Sequence, residues 1–97
     1  MKLLRVVDSH LPKKKYDAIF ETDKGRTKTV PFGSKGMDDY TLATVDKEQR
    51  ERYRSRHAKD LQTDDPTRAG FLAYYILWGA SKSMTTNISS YKKRYNL

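Results

Sequence analysis

Residues 15–32 read Lys15-Tyr16-Asp17-Ala18-Ile19-Phe20-Glu21-Thr22-Asp23-Lys24-Gly25-Arg26-Thr27-Lys28-Thr29-Val30-Pro31-Phe32, and this stretch decides the fold. Tyr16, Ala18, Phe20 and Thr22 alternate with Asp17, Ile19 and Glu21, the period of two expected of a strand with one face in a core. Asp23-Lys24-Gly25 carries turn chemistry. Val30 and Phe32 then point one way, Thr27 and Thr29 the other, which predicts a β-hairpin. Upstream, Leu3-Leu4-Arg5-Val6-Val7 is a short apolar run suited to a further strand, separated from the hairpin by Pro12 and three lysines. Downstream, Gly33-Ser34-Lys35-Gly36 breaks the strand, and Met37 to Thr44 is irregular.

The second half reads as three helices. Asp46 and Gln49 resemble a capping box, in which a side-chain oxygen takes an orphan backbone N–H. A helix over about 47–61 follows, with Tyr53, His57 and Leu61 recurring on one face. Asp65 then suits a cap and Pro66 the first helical position. Ala69 to Trp78 is apolar nearly all round, as in a helix central to a core, and Gly79 ends it. Ser83 can cap a last helix in which Met84, Ile88, Tyr91 and Tyr95 share a face and Lys92, Lys93 and Arg94 complement the dipole in the final turn. The expected architecture is α+β: a small N-terminal antiparallel β-hairpin or sheet packed against three C-terminal helices. The 97 residues fit a single domain, with a β-rich part over 1–36 and a helical part over 45–97. The predicted core is Phe20, Val30, Phe32, Phe71, Leu72, Tyr75, Ile76, Trp78, Ile88 and Tyr91.

Composition narrows the function classes. No cysteine is present, which excludes disulfides and thiolate metal sites. The longest apolar run, Phe71 to Trp78, is far short of a membrane span. Met1-Lys2-Leu3-Leu4-Arg5 meets a charge too soon for a signal peptide, so an intracellular location is expected. Twenty Lys and Arg against twelve Asp and Glu give a formal charge of +8, a field that concentrates anionic partners. The excess sits at the ends: +3 over residues 1–41, none over 42–65, and +5 over 66–97, where no acid occurs.

Each candidate motif has a plain structural reading beside a functional one. Gly33-Ser34-Lys35-Gly36 lacks phosphate-loop spacing and precedes two acids, so it reads as a strand-ending turn. Lys35 with nearby backbone N–H groups is a lesser candidate for holding one phosphate of a larger anion. Asp38, Asp39 and Asp46 lack the spacing of a cation loop; turn and cap roles explain them, and no metal is expected. His10 and His57 have no partner set for hydrolysis. His57 reads as a partly buried, hydrogen-bonded side chain, and only a closed pocket beside a carboxylate would revive an enzyme reading. Arg50, Arg52, Arg54, Arg56 and Lys59 lie on one helix but not one face, with a Glu48–Arg52 pair at helix-supporting spacing. No catalytic residue, cofactor or small-molecule substrate is indicated.

Several segments together are familiar. These are Lys15-Tyr16-Asp17-Ala18-Ile19-Phe20, Thr29-Val30-Pro31-Phe32-Gly33, Asp39-Tyr40-Thr41, Arg52-Tyr53 with Arg56-His57, Asp65-Pro66, Tyr75-Ile76-Leu77-Trp78-Gly79, and Asn87-Ile88 with Tyr91-Lys92-Lys93. From about Lys13 to Leu97 the chain resembles a family of small, basic, functionally uncharacterised proteins encoded by nucleocytoplasmic large DNA viruses of algae and amoebae. It departs from that pattern after Thr41, where Leu42-Ala43-Thr44 stands where a His or Lys is expected nearby. The resemblance implies a viral protein of the host cytoplasm or nucleus, or of the virion, and brings no catalytic residues.

Two binding roles follow as expectations. The first is a structural or minor virion protein, touching viral structural proteins through Met37, Asp39, Tyr40, Arg56 and His57. The second is non-specific nucleic-acid or anion binding through Lys13, Lys14, Lys15, Lys35, Arg50, Arg54, Lys92, Lys93 and Arg94, with the two ends joined in one cationic patch. The first is the leading expectation. The aromatic residues fall mostly at core spacing and read as packing groups rather than base-stacking platforms.

Overall fold

The computed structural model describes all 97 residues. Three antiparallel strands, β1 (Lys2–Asp8), β2 (Lys14–Glu21) and β3 (Thr27–Ser34), form a sheet in the order β1-β2-β3. The helices follow: α1 (Lys47–His57), a 3₁₀ helix (Ala58–Thr63), α2 (Ala69–Leu72), a π-helical turn (Ala73–Leu77) and α3 (Met84–Tyr95). The chain is thus α+β as its alternating first half and helical second half predict. No helix is long and apolar enough to cross a membrane.

The hairpin forms where its turn residues stand. Gly25 takes φ +75°, and Thr22 N–H donates to the Arg26 carbonyl at 2.7 Å. Register places Ala18 opposite Val30 and Phe20 opposite Lys28, while Leu3 pairs with Phe20 beside a bulge in β1. Leu3, Ala18, Phe20 and Phe32 are therefore buried on the face toward the helices. Asp17, on the other face, is also buried at 3% exposure. The turn after β1 folds over it: Ser9 Oγ donates to Asp17 at 2.6 Å, and His10 binds it through both backbone N–H and Nδ1.

The helix boundaries differ from those expected. Asp46 caps α1 by accepting from Gln49 N–H at 2.8 Å, but α-geometry stops at His57, not near Leu61. The chain tightens into the 3₁₀ helix, whose three-residue turn aligns His57 with Asp60. Asp65 does not cap a helix starting at Pro66. It accepts from Thr67 N–H and Oγ instead, closing a local turn, and α2 starts at Ala69. The expected helix to Trp78 is α-helical for one turn only. It widens at Ala73, and Trp78 N–H reaches back five residues to the Ala73 carbonyl at 3.0 Å. α3 stands as predicted, with Ser83 Oγ accepting from Thr86 N–H.

The core sits between the sheet and the 69–78 segment, closed by Tyr91. Seven of the ten predicted core residues are buried; Val30, Tyr75 and Ile88 pack only at its edge. Leu3, Ala18, Tyr40, Val45 and Leu77 are buried in addition. Two glycines are steric requirements. A Cβ at Gly33, already at φ +78°, would lie 2.8 Å from Leu77, and one at Gly79 would lie 2.3 Å from the Tyr75 carbonyl.

Candidate functional site

Beside the β2 start, a cleft of about 660 Å³ opens between the sheet end, the 36–39 loop, α1 and the 69–78 segment. Its lining includes Lys14, Lys15, Met37, Asp39, Arg56 and His57, so many of the sequence candidates do converge. Their chemistry is largely satisfied within the chain. Lys15 Nζ donates to Asp39 Oδ2 at 2.6 Å, with both side chains well shielded. Asp39 also accepts from Thr41 N–H at 2.8 Å and from Thr41 Oγ. Trp78, Tyr53 and His57 form one continuous stack: Tyr53 lies 4.3 Å from Trp78 and 4.1 Å from His57, centroid to centroid. Burial, first among the causes, pushes the Tyr53 hydroxyl up to about 12. His57 Nδ1 faces Asp60 at 3.0 Å, and both side chains are more than a third exposed, so the pair is not enclosed.

The protein-contact set is corrected by burial. Asp39 and Tyr40 are only 2% and 7% exposed and cannot touch a partner. Tyr40 N–H donates to the Leu77 carbonyl, and its ring lies under Lys82 and Arg50. Met37, at 66% exposure, and Arg56 remain on the surface.

The cationic set divides in the same way. Arg50 Nε donates to the Gly79 carbonyl at 2.8 Å. Arg54 donates to the Tyr74 and Trp78 carbonyls, at 3.0 and 2.8 Å, and stacks 3.9 Å from the Tyr74 centroid. Burial lowers the Arg54 pKa, yet the group stays charged at neutral pH. These two arginines serve the orphan carbonyls at the end of the 69–78 segment, and Lys15 serves Asp39, so all three are already engaged within the chain. The glycine turn is closed too: Lys35 N–H donates to the Lys13 carbonyl and Met37 N–H to Ser34, so these two amides are not free for a phosphate.

Lys13, Lys35, Lys92, Lys93 and Arg94 are exposed and Lys14 is half-buried, and none of the six is in an ion pair. They do not form one patch. Lys14 pairs with Ser34 at one end of β2. Near the other end Phe20 pairs with Leu3, whose N–H donates to the Leu97 carbonyl. Six residues of strand, about 20 Å, separate the two ends. The solvent side of α3 carries exposed Thr85, Thr86, Ser89, Ser90, Lys92 and Lys93, with no acid anywhere in the helix.

Sequence reading missed the buried Asn87. Its Nδ2 donates to the Ile76 and Ser81 carbonyls and its Oδ1 accepts from Ser81 N–H, fixing α3 to the segment before it. The only hint in the sequence is an amide at a position of α3 where an apolar residue would otherwise stand. No group of three or more His, Asp or Glu side chains gathers that could hold a metal ion. Residues 4–57 match the model of DUF5754, a family of unknown function. No curated protein and no solved structure matches the chain.

Proposed function

We propose that this chain, which belongs to the DUF5754 family of unknown function, is a non-catalytic basic protein that binds nucleic acid through phosphate contacts. The observation that carries this reading is the free state of Lys13, Lys14, Lys35, Lys92 and Lys93, which have no carboxylate partner on a chain of formal charge +8. Phosphate neutralisation by such groups supplies affinity without sequence preference. Ser and Thr hydroxyls beside lysines, as on α3, add phosphate contacts of the same kind. The resemblance to small basic proteins of large DNA viruses supports a place against packaged DNA, in the virion or in the infected cell.

Fluorescence anisotropy with labelled duplex DNA, titrated from about 50 to 200 mM salt, tests this. Binding at about micromolar concentration at the low end should weaken with a log–log slope near −0.9 per phosphate neutralised. A flat salt dependence overturns the reading.

A second reading, contact with a viral structural protein, is favoured by Met37, which stands exposed at the mouth of the cleft. Under that reading Met37→Asp should release the protein from virions at a salt concentration that leaves the unmodified chain bound, and retention of the variant speaks against it.

A further inference from the structure

The aromatic residues at the end of α3 are not all packing groups. Phe71 and Tyr91 are buried and form a floor. Tyr74, Tyr75 and Tyr95 lie over and beside that floor and keep part of their surface in water. The rings meet edge to face: Tyr74 to Tyr75 at 5.0 Å and 66°, Tyr75 to Tyr95 at 5.6 Å and 71°. Edge-to-face contact leaves part of each π-face unmatched by another ring. The Arg94 guanidinium, itself exposed, already lies 5.0 Å from the Tyr75 centroid, and its Nε donates to Tyr95 Oη at 3.4 Å. Lys92 and Lys93 stand on the same final turn without an ionic partner.

Arg54 covers one face of Tyr74, and Arg94 lies over Tyr75 and Tyr95. Free lysines beside half-exposed tyrosine rings and arginine planes are the two components that hold single strands: a cationic track for the backbone and flat faces for successive bases. A duplex satisfies the first component but keeps its bases stacked inside. We infer that Tyr74, Tyr75 and Tyr95, with Lys92, Lys93 and Arg94, form a platform for unpaired nucleobases, so that the chain prefers single-stranded nucleic acid over duplex. This rests on the proposed nucleic-acid binding and specifies which form is bound and where.

The test compares three probes on the unmodified protein: a short labelled oligo(dT) or oligo(U), a duplex of equal length, and inorganic polyphosphate. The single strands should bind tightest, and their advantage should survive at salt that abolishes polyphosphate binding. DNA and RNA strands binding alike would place recognition on base and phosphate, and a gap between them would add the sugar hydroxyl to it; the platform stands under both. Tyr74→Leu and Tyr95→Leu should each weaken single-strand binding about tenfold, in the range of one stacked base, and leave polyphosphate unchanged. Photocross-linking of a halogenated-uracil strand to the unmodified protein gives an answer independent of folding in the variants, and the adducts should map to Tyr74, Tyr75 or Tyr95. Equal affinity for single strand and duplex, with cross-links elsewhere, overturns the platform while leaving phosphate binding intact. Absence of binding to every probe at low salt removes the nucleic-acid reading and the platform together.

Discussion

Lys15 and Asp39 show how misleading a charged residue is before its partner is known. In the sequence Lys15 closes a run of three lysines and looks like its neighbours, and Asp39 looks like a loop acid. In the fold they are a shielded pair with side-chain exposures of 16% and 3%. Removing one member of a buried pair strands the other charge, at a cost of about 3 kcal/mol. Lys15→Met should therefore destabilise the chain by about that amount in denaturant melts and leave the salt slope for DNA unchanged. A change in slope with unaltered stability would return Lys15 to the binding surface. Tyr53 gives a second prediction at this scale. Its hydroxyl ionises near 12 in the folded chain against 10.0 for an ordinary tyrosine. Between those values the folded chain retains a proton that the unfolded chain has released, so stability falls as pH rises from about 10 to 12. Tyr53→Phe should flatten that decline in pH-dependent denaturant melts, and an undiminished slope would mean that the ring ionises as freely as in the unfolded chain. The burial of Tyr40 and Val45 was not legible because it depends on Leu77 and Lys82, more than thirty positions along the chain.

At the scale of elements, periodicity located the strands and α3 well and the middle helices poorly. Strand alternation and the Ser83 cap are local signals, complete within a few residues. The π turn at 73–77 is not local. Its widened ring turns the Tyr74 and Trp78 carbonyls toward Arg54 of α1, and Trp78 stacks on Tyr53 of the same helix. An apolar run such as Ala73 to Leu77 carries no sign of this in its own residues, because the compensating guanidinium lies about twenty positions upstream. π turns frequently mark functional sites; this one also holds Tyr75 against Tyr91 and Tyr95 of α3, with Tyr74 beside it. Arg54→Lys keeps the charge but loses the planar guanidinium, whose Nη1 reaches both carbonyls while its face stacks on Tyr74. It should cost about 1–2 kcal/mol and accelerate amide hydrogen exchange at Trp78, whose N–H closes the turn, more than in α3. Uniform acceleration across the chain would mean that Arg54 supports global stability and not this turn.

For the whole molecule, the +8 charge was visible from composition, but its arrangement was not. The sequence places Lys13–Lys15 and Lys92–Arg94 at opposite ends of the chain, and folding is free to join such ends or to part them. Lys14 stands at one end of β2, whereas Leu97, whose N–H donates to the Lys92 carbonyl, lies beside Leu3 near the other, and those two strand positions are about 20 Å apart. Charges this far apart exceed a Debye length of about 8–10 Å at ordinary ionic strength and act on an anion separately. Replacing Lys13, Lys14 and Lys35 with Gln, and separately Lys92 and Lys93, should lower the magnitude of the salt slope by up to about 0.9 for each phosphate no longer neutralised. In the combined variant the decreases in log affinity should add, as expected for sites more than about 10 Å apart. The two groups should also separate by probe. An oligonucleotide too short to span about 20 Å, roughly six base steps at ~3.4 Å each, engages one patch at a time, and its affinity then follows the stronger patch alone. For such a probe the weaker set of substitutions should have almost no effect, whereas on a long probe both sets count. Equal sensitivity of short and long probes to both sets would mean that the two patches bind one phosphate run together and are not separate sites.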